Sequence, residues 1–406
     1  MNPADTSHRT LHADVVIFGG GVAGLWLSGR LRAEGYRVLL LETSSLGSGQ
    51  SVASQGIIHG GLKYALDGSF GTASHAIATM PQRWRASLAG TADVDLRGCS
   101  LLQDRFYMWS DGGYRSRLKT FLGSKSLRGR VEAVPRAEYP ELFAIGAGRG
   151  SLYRLPDFVV DTGSLLRTLG ADRDDLLLIA PDHLGIERLA GGELALEVRC
   201  GGQPLQINTR SCLLCAGAGN GRLMDRFGMR GITLQTRPLH MVMVKHPSLP
   251  AAYVHCIGND FSLTPRLTLT SHPCLDGSTV WYLGGELAER GVGMSSAEVI
   301  EEARQLLGSL FPGVSLKDAL WTSFPIDRAE GSVDGQRRPD TVFLQRQDSV
   351  WVCWPTKFTL SPALADQAVA ELQAAGIHPI ASARPLRIPA GLAHPGVARP
   401  PWETLF

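Results

Sequence analysis

The stretch that most constrains the fold is "ADVVIFGGGVAGLWLSGRLRAEGYRVLLLE", residues 13–42. It opens as an unbroken apolar run, the pattern of a strand buried on both faces of a parallel sheet. Gly19, Gly21 and Gly24 follow at G-x-G-x-x-G spacing. The first allows a tight turn, the second lets backbone approach a pyrophosphate, and the third lets the next helix pack on the strand. The pattern predicts that helix over residues 22–34, ended by Gly35. "RVLLLE" (37–42) reads as the next strand, and Glu42 falls at its end, where a carboxylate accepts the hydroxyls of an adenosine ribose. An acid there disfavours a 2′-phosphate and hence NADP, which leaves FAD and NAD.

The next segment separates those two. "SLGSGQSVASQGIIHGGLKYAL" (45–66) is rich in Ser and Gly before it turns apolar. An NAD domain would ordinarily continue with another βα unit. A small-residue loop carrying Ser51, Ser54, Gln55 and Gly56 can instead lie along an extended dinucleotide and donate backbone and hydroxyl hydrogen bonds. That favours FAD.

The chain has 406 residues and is 44% hydrophobic, too long for one simple core, so two interleaved domains are expected. Its net charge of +2 is spread without a basic arm or acidic tail, which argues against a nucleic-acid partner. No apolar run reaches membrane-spanning length, and the polar start "MNPADTSHRTLHAD" does not read as a secretory signal. The seven scattered cysteines, an odd number, fit a reduced, cytoplasmic protein. Cys212 and Cys215 form a CxxC, but "CLLCAGAG" reads as an apolar strand entering a glycine turn. No second pair completes a zinc site, so no metal is expected.

With these residues in hand, the chain resembles the FAD-dependent oxidoreductase superfamily of D-amino-acid oxidase. "SQGIIHGGLKY" is similar to the Ser-rich loop and "HGGLRY" of flavin-dependent glycerol-3-phosphate dehydrogenases, and to the G-hydrophobic-hydrophobic-H-x-G loop of 2-hydroxyglutarate oxidases. The resemblance implies that His59 lies close to the isoalloxazine and that Lys63 stands where the phosphate-ester enzymes carry an arginine. "INTRSCLLCAGAGNGRL" (207–223) resembles the strand that returns to the FAD domain, which would bring Gly217, Gly219 and Asn220 near the dinucleotide. "SVWVCWPTKFTLSPALADQAVAEL" (349–372) resembles the last strand, turn and helix. Its turn, with Thr359, would wrap the flavin's pyrimidine end, and a helix starting at Ser361–Pro362 would aim its positive end at the flavin N1/O2 region.

The implied fold class is α/β: a discontinuous Rossmann-like FAD-binding domain with a second α+β substrate domain built on a mixed sheet. The FAD domain would comprise residues 11–75, 156–230 and 321–385. The substrate domain would comprise 76–155 and 231–320, and 386–406 would be a tail.

The chemistry expected is hydride transfer from the CH–OH carbon of a small anionic substrate, a 2-hydroxy acid or phospho-alcohol, to flavin N5. Such a reaction needs a proton acceptor and cations for the substrate's acidic group. His59, between Ile58 and two glycines, is the candidate base, or else a flavin contact or attachment point. Arg328, in "SFPIDRAEGSVDGQRRPD", matches by resemblance an arginine that reaches the substrate's acidic group, and a guanidinium suits bidentate capture. Lys357 in "PTKFTLSP" stands where relatives read "GGKLTT", with Pro355 and Thr356 replacing the two glycines. Lys63 would support substrate binding. The proline-rich end "RPLRIPAGLAHPGVARPPWETLF" (384–406) does not match the C-terminal helical domain of glycerol-3-phosphate dehydrogenases, so glycerol 3-phosphate is not singled out. Two other readings stay open: amine or D-amino-acid oxidation in the same superfamily, and a non-catalytic FAD-binding protein. The electron acceptor, whether oxygen, a quinone or a protein, would leave the same motifs.

Overall fold

The opening apolar run forms strand β1 (Arg9–Phe18), which pairs in parallel with β2 (Val38–Glu42) on one edge and β11 (Gln203–Leu214) on the other. The structure, a computed structural model, describes residues 9–61, 72–110, 131–258, 265–332, 339, 341–380 and 386–406. Both faces of β1 are covered, which is why its sequence does not alternate. Val15 and Ile17 point into one apolar cluster, Val16 and Phe18 into another. Helix α1 (Val22–Ala33) joins β1 to β2, and Gly35 at φ +92° turns the chain after it.

The seven-stranded sheet is completed by β9 (Leu176–Arg188), β10 (Leu194–Cys200), β17 (Phe343–Gln347) and β18 (Val350–Trp354). β9 pairs parallel to β2 at its start and antiparallel to β10 along the rest of its length, and β10 pairs antiparallel to β11. β18 lies parallel to β11 and leads into α7 (Ser361–Ala374), which packs on α1. Between these two helices and α2 (Thr72–Leu88) the Trp26 and Trp84 rings meet at 4.5 Å. Asp161 caps α3 (Thr162–Gly170) by accepting the Ser164 N–H at 2.6 Å. A short helix, α4 (Asn220–Phe227), follows β11.

The eight-stranded sheet runs in the order β16-β12-β15-β14-β13-β5-β7-β6. Its strands are β5 (Phe106–Ser110), β6 (Glu132–Ala133), β7 (Ser151–Leu155), β12 (Thr233–His246), β13 (Tyr253–Ile257), β14 (Leu267–Pro273), β15 (Thr279–Gly284) and β16 (Leu320–Ser332). Only the β13–β5 pairing is parallel, so the sheet is mixed. β12 and β16 pair from Thr233–Ser332 to Lys245–Leu320, so this sheet extends past residue 320 to Ser332 and carries Arg328. After α5 (Glu286–Arg290), helix α6 (Ser296–Leu310) lays Val299, Ala303, Leu307 and Leu310 on one face of it. A three-stranded sheet, β3 (Ile57–Ile58), β8 (Phe158–Val160) and β4 (Leu101–Gln103), lies under the loop that carries His59.

The C-terminal segment is built into the molecule. Ala393 accepts the Leu178 N–H at 2.8 Å, and Val397 bridges to Leu46 beside the first sheet. Trp402, 2% exposed, stacks on His272 of the second sheet with ring centroids 3.9 Å apart. Among the described residues no helix is long and apolar enough to cross a membrane.

Candidate active site

The ends of β1, β2, β11 and β18 open onto one elongated cleft of about 1300 Å³ that reaches the β12–β16 pair. Gly19, at φ +105°, starts it: a side chain there would stand 2.6 Å from Ala216 Cα. Gly21 is the N-cap of α1 and lines the cleft with Val22 and Ala23, so the positive end of the helix lies at its wall. Gly24 is not on the lining. A Cβ on it would lie 2.0 Å from the Gly19 carbonyl oxygen, so its role is the close packing of helix on turn.

Glu42 lies at the end of β2 on the cleft wall. Its Oε2 accepts the Gly20 N–H at 2.6 Å, and its Oε1 accepts those of Thr43 and Ser44 at 2.8 and 2.9 Å. Ser51 Oγ accepts the Val22 N–H at 2.9 Å, which ties the small-residue loop to the mouth of α1. Ser54 Oγ accepts the Gly56 N–H at 3.3 Å. Gly56, at φ +68°, has the Val160 carbonyl oxygen 2.2 Å from its would-be Cβ. Gln55 reaches away from this loop: its Nε2 donates to the Tyr282 carbonyl oxygen at 2.9 Å and to Thr268 at 3.2 Å, clamping the loop to the second sheet. Ser51, Ser54, Gln55 and Gly56 all line the cleft.

Gly217, at φ +58°, also lines it, and its carbonyl oxygen accepts from the Trp354 indole N–H at 3.0 Å. Asn220 and Thr359 lie behind the lining, fully buried. Asn220 Oδ1 accepts the Ala216 N–H at 2.7 Å and its Nδ2 donates to the Cys353 carbonyl oxygen at 3.2 Å, joining the two turns. Thr359 Oγ1 accepts the His59 N–H at 3.0 Å and donates to the Ile57 carbonyl oxygen at 3.3 Å.

His59 faces the cleft with its side chain 40% exposed, and its Nδ1 lies 3.2 Å from Oδ2 of Asp157. Asp157, 3% exposed, uses Oδ1 to accept the Gly60 N–H at 2.9 Å. A carboxylate only accepts, so it draws the His59 proton to Nδ1 and leaves a lone pair on Nε2. His255 stacks on His59 at 5.8 Å and meets Phe106 at 4.5 Å. Burial, and then the neighbouring His59, hold the His255 imidazole down to about 3 against an opposing pull from Asp157, so it is neutral at physiological pH. No motif or spacing in the sequence points to either Asp157 or His255. The only sequence signal is a polar residue beginning "DFVVD" and another inside the apolar run "YVHCI".

Arg328 lines the same cleft from β16, opposite Arg237, and lies 3.9 Å from the Glu289 carboxylate. Lys357 lines it from the turn after β18. That turn keeps a glycine-like shape without glycine, because Thr356 sits at φ +58° and its hydroxyl donates to the Thr341 carbonyl oxygen at 2.8 Å. Lys63 lies outside the described residues. Cys212, on β11, and Cys215, one residue past its end, lie in different apolar clusters on opposite sides of the sheet. All seven cysteines are free thiols, and burial pushes Cys212 up.

These features fit a flavin dinucleotide. There is a glycine turn with no room for side chains, a helix N-terminus at the cleft wall, an acid fixed at the second strand, and a long cleft ending beside a histidine and two cations. Comparison with known proteins agrees. The sequence matches the family profile described as FAD dependent oxidoreductase (DAO) over residues 14–372. The probable FAD-dependent oxidoreductase PA4991 of Pseudomonas aeruginosa is 44% identical over 403 residues, spanning 98% of this chain and 99% of that protein. The crystal structure of PA4991 matches with a TM-score of 0.82 at 40% identity, over 97% of this chain and 98% of that one. L-α-glycerophosphate oxidase from Mycoplasma pneumoniae, reduced with dithionite and with FAD bound, matches with a TM-score of 0.65 at 14% identity, over 89% and 95% of the two chains. Glycine oxidase from Geobacillus kaustophilus gives 0.59 at 16%, over 92% and 100%. At such identities the last two are likenesses of fold alone.

Proposed function

Because this chain belongs to the family of FAD-dependent oxidoreductases named for D-amino-acid oxidase, we propose that it oxidises the CH–OH carbon of a small anionic substrate, a 2-hydroxy acid or a phospho-alcohol. The observation that carries this reading is the 3.2 Å contact between His59 Nδ1 and Asp157 at the cleft floor. An alcohol loses its O–H proton as the C–H bond breaks and therefore needs a base, whereas an amine that arrives neutral does not. His59 Nε2 takes the hydroxyl proton. Asp157 holds the ring in the matching tautomer and stabilises the imidazolium that forms. Arg328 and Lys357 hold the substrate's carboxylate or phosphate, with Lys63 in support, and so keep the reacting carbon at one place. Bound FAD supplies the hydride acceptor.

In the same reading Gly19, Gly21 and the first turn of α1 hold the pyrophosphate, and Glu42 holds the adenosine ribose. Ser51, Ser54, Gln55, Gly56, Gly217, Asn220 and Thr359 shape the walls. The seven-stranded sheet is then the dinucleotide-binding domain and the eight-stranded sheet the substrate domain, with the last crossing after Ser332.

An anaerobic screen of the purified yellow protein tests this. Hydroxy acids, phospho-alcohols, D- and L-amino acids and N-methyl amines are added one at a time, and the visible flavin band is followed. Bleaching by a hydroxy acid or phospho-alcohol is the expected result. Bleaching by an amine alone would move the chemistry to CH–NH oxidation. Bleaching by dithionite and by none of these would count against a small anionic substrate.

A further inference from the structure

The floor of the cleft gathers three metal-ligating side chains from distant parts of the chain. One ligand atom from each of His59, Asp157 and His255 lies within 4.8 Å of the others. The groups are already oriented by neighbours of the kind that support metal ligands. Thr268 Oγ1 lies 2.9 Å from His255 Nδ1, which leaves Nε2 as the nitrogen for a metal. The Gly60 N–H occupies Asp157 Oδ1 and leaves Oδ2 toward His59. Two imidazoles and one carboxylate on the side of an open cleft form the donor set that binds zinc-type divalent ions while leaving positions for water or substrate.

Ligands around such an ion stand about 2.0–2.2 Å from it, so the three groups must draw in by about an ångström. The His59 side chain is 40% exposed, so its imidazole has open space beside it in which to turn toward the ion. We infer that His59, Asp157 and His255 form a binding site for a zinc-type divalent transition-metal ion. The consequence for catalysis rests on the base role assigned above to His59. Metal on Nδ1 leaves the neutral ring with its proton on Nε2, the nitrogen that must accept the substrate proton, so a filled site is an inhibited enzyme.

The test uses tag-free, FAD-loaded full-length protein and Zn²⁺ alone, with binding measured by chelator competition and by perturbation of the flavin visible spectrum. Wild type is expected to take up about one equivalent. His255→Gln and the milder Thr268→Val, each checked for flavin content and thermal unfolding, are expected to bind more weakly by at least about tenfold. Absence of stoichiometric binding to wild type, or equal binding by all three proteins, would overturn the site. Zinc that binds as expected yet leaves substrate-driven flavin reduction at its full rate would uphold the site and remove His59 from the role of base. The two readings therefore fail separately.

Discussion

Asp157 holds two consecutive residues of a loop 98 positions away, His59 through Nδ1 at 3.2 Å and Gly60 through its N–H at 2.9 Å. A carboxylate so placed sets both the tautomer and the position of the imidazole. Asp157→Asn keeps the shape and presents an amide where only an acceptor stood. With the productive substrate, the rate of flavin reduction should fall by about 10²–10⁴-fold at unchanged flavin content. Stopped-flow reduction under anaerobic conditions measures this. A rate within about twofold of wild type would mean that His59 needs no partner to work.

Gly24 tests the helix-on-strand packing. A methyl group there meets the Gly19 carbonyl oxygen at 2.0 Å, and that oxygen belongs to backbone that cannot swing aside. Gly24→Ala should lower stability by about 1–3 kcal/mol and weaken FAD retention with it, because the displaced turn is the one proposed to cradle the pyrophosphate. Urea unfolding and flavin content after dialysis report both effects. Stability equal to wild type would contradict the packing described.

How much of this was legible in the sequence depended on distance along the chain. The β1–turn–α1–β2 unit closes within 13–42, so every rule that shapes it acts locally, and its glycines, helix end and terminal acid lie where the pattern expects them. Asp157 and His255 were not legible, because only the pairing of β3 with β8 and of β13 with β5 brings them to His59. No spacing rule connects residues joined through sheet register. Gln55 reads as a polar group in a cofactor loop, yet its amide is held by carbonyl oxygens of β14 and β15. Trp402 shows the same limit: a proline-rich tail suggests a loose end, and only the fold reveals the buried face of β14 and β15 that its indole covers.

That indole gives a direct test of the tail. Trp402 is 2% exposed and stacks on His272, while its neighbours Pro401 and Thr404 line the cleft. Trp402→Ala should cost about 3–5 kcal/mol and loosen FAD, because a wall of the cleft loses its anchor. Denaturant unfolding and flavin dissociation are the measurements. A fully stable variant with normal flavin affinity would show the tail to be ornamental.

His272 gives the molecule an acid-sensitive point. Burial holds its imidazole down to about 3 from an ordinary 6.5, as it does for His255. The folded state therefore favours the neutral ring. This stability is fully present above about pH 6.5 and is lost as pH falls toward about 3, at about 1.4 kcal/mol per pH unit for each histidine. His272→Phe keeps an aromatic partner for Trp402 and removes the titration. Urea midpoints measured from neutral to acidic pH should fall less steeply in the variant, and parallel curves would mean that His272 is protonated in the fold at no cost.

Thr356 holds a backbone shape that β-branched residues avoid, at φ +58°, in the turn that presents Lys357 to the cleft. Such a conformation costs about 1–3 kcal/mol, offset in part by the hydroxyl bond to the Thr341 carbonyl oxygen at 2.8 Å, worth about 1 kcal/mol. The two contributions separate by substitution. Thr356→Ala keeps the strain and loses the bond, so it should destabilise by about 1 kcal/mol. Thr356→Gly loses the bond and relieves the strain, so its stability should stay within about 1 kcal/mol of wild type. In the glycine variant the turn is also freer in the unliganded protein. Substrate KM should therefore rise while the limiting rate of flavin reduction changes little if, as proposed, Lys357 holds the substrate's anionic group and does not act on the reacting carbon. A fall in the limiting rate with KM unchanged would place Lys357 at the chemical step instead.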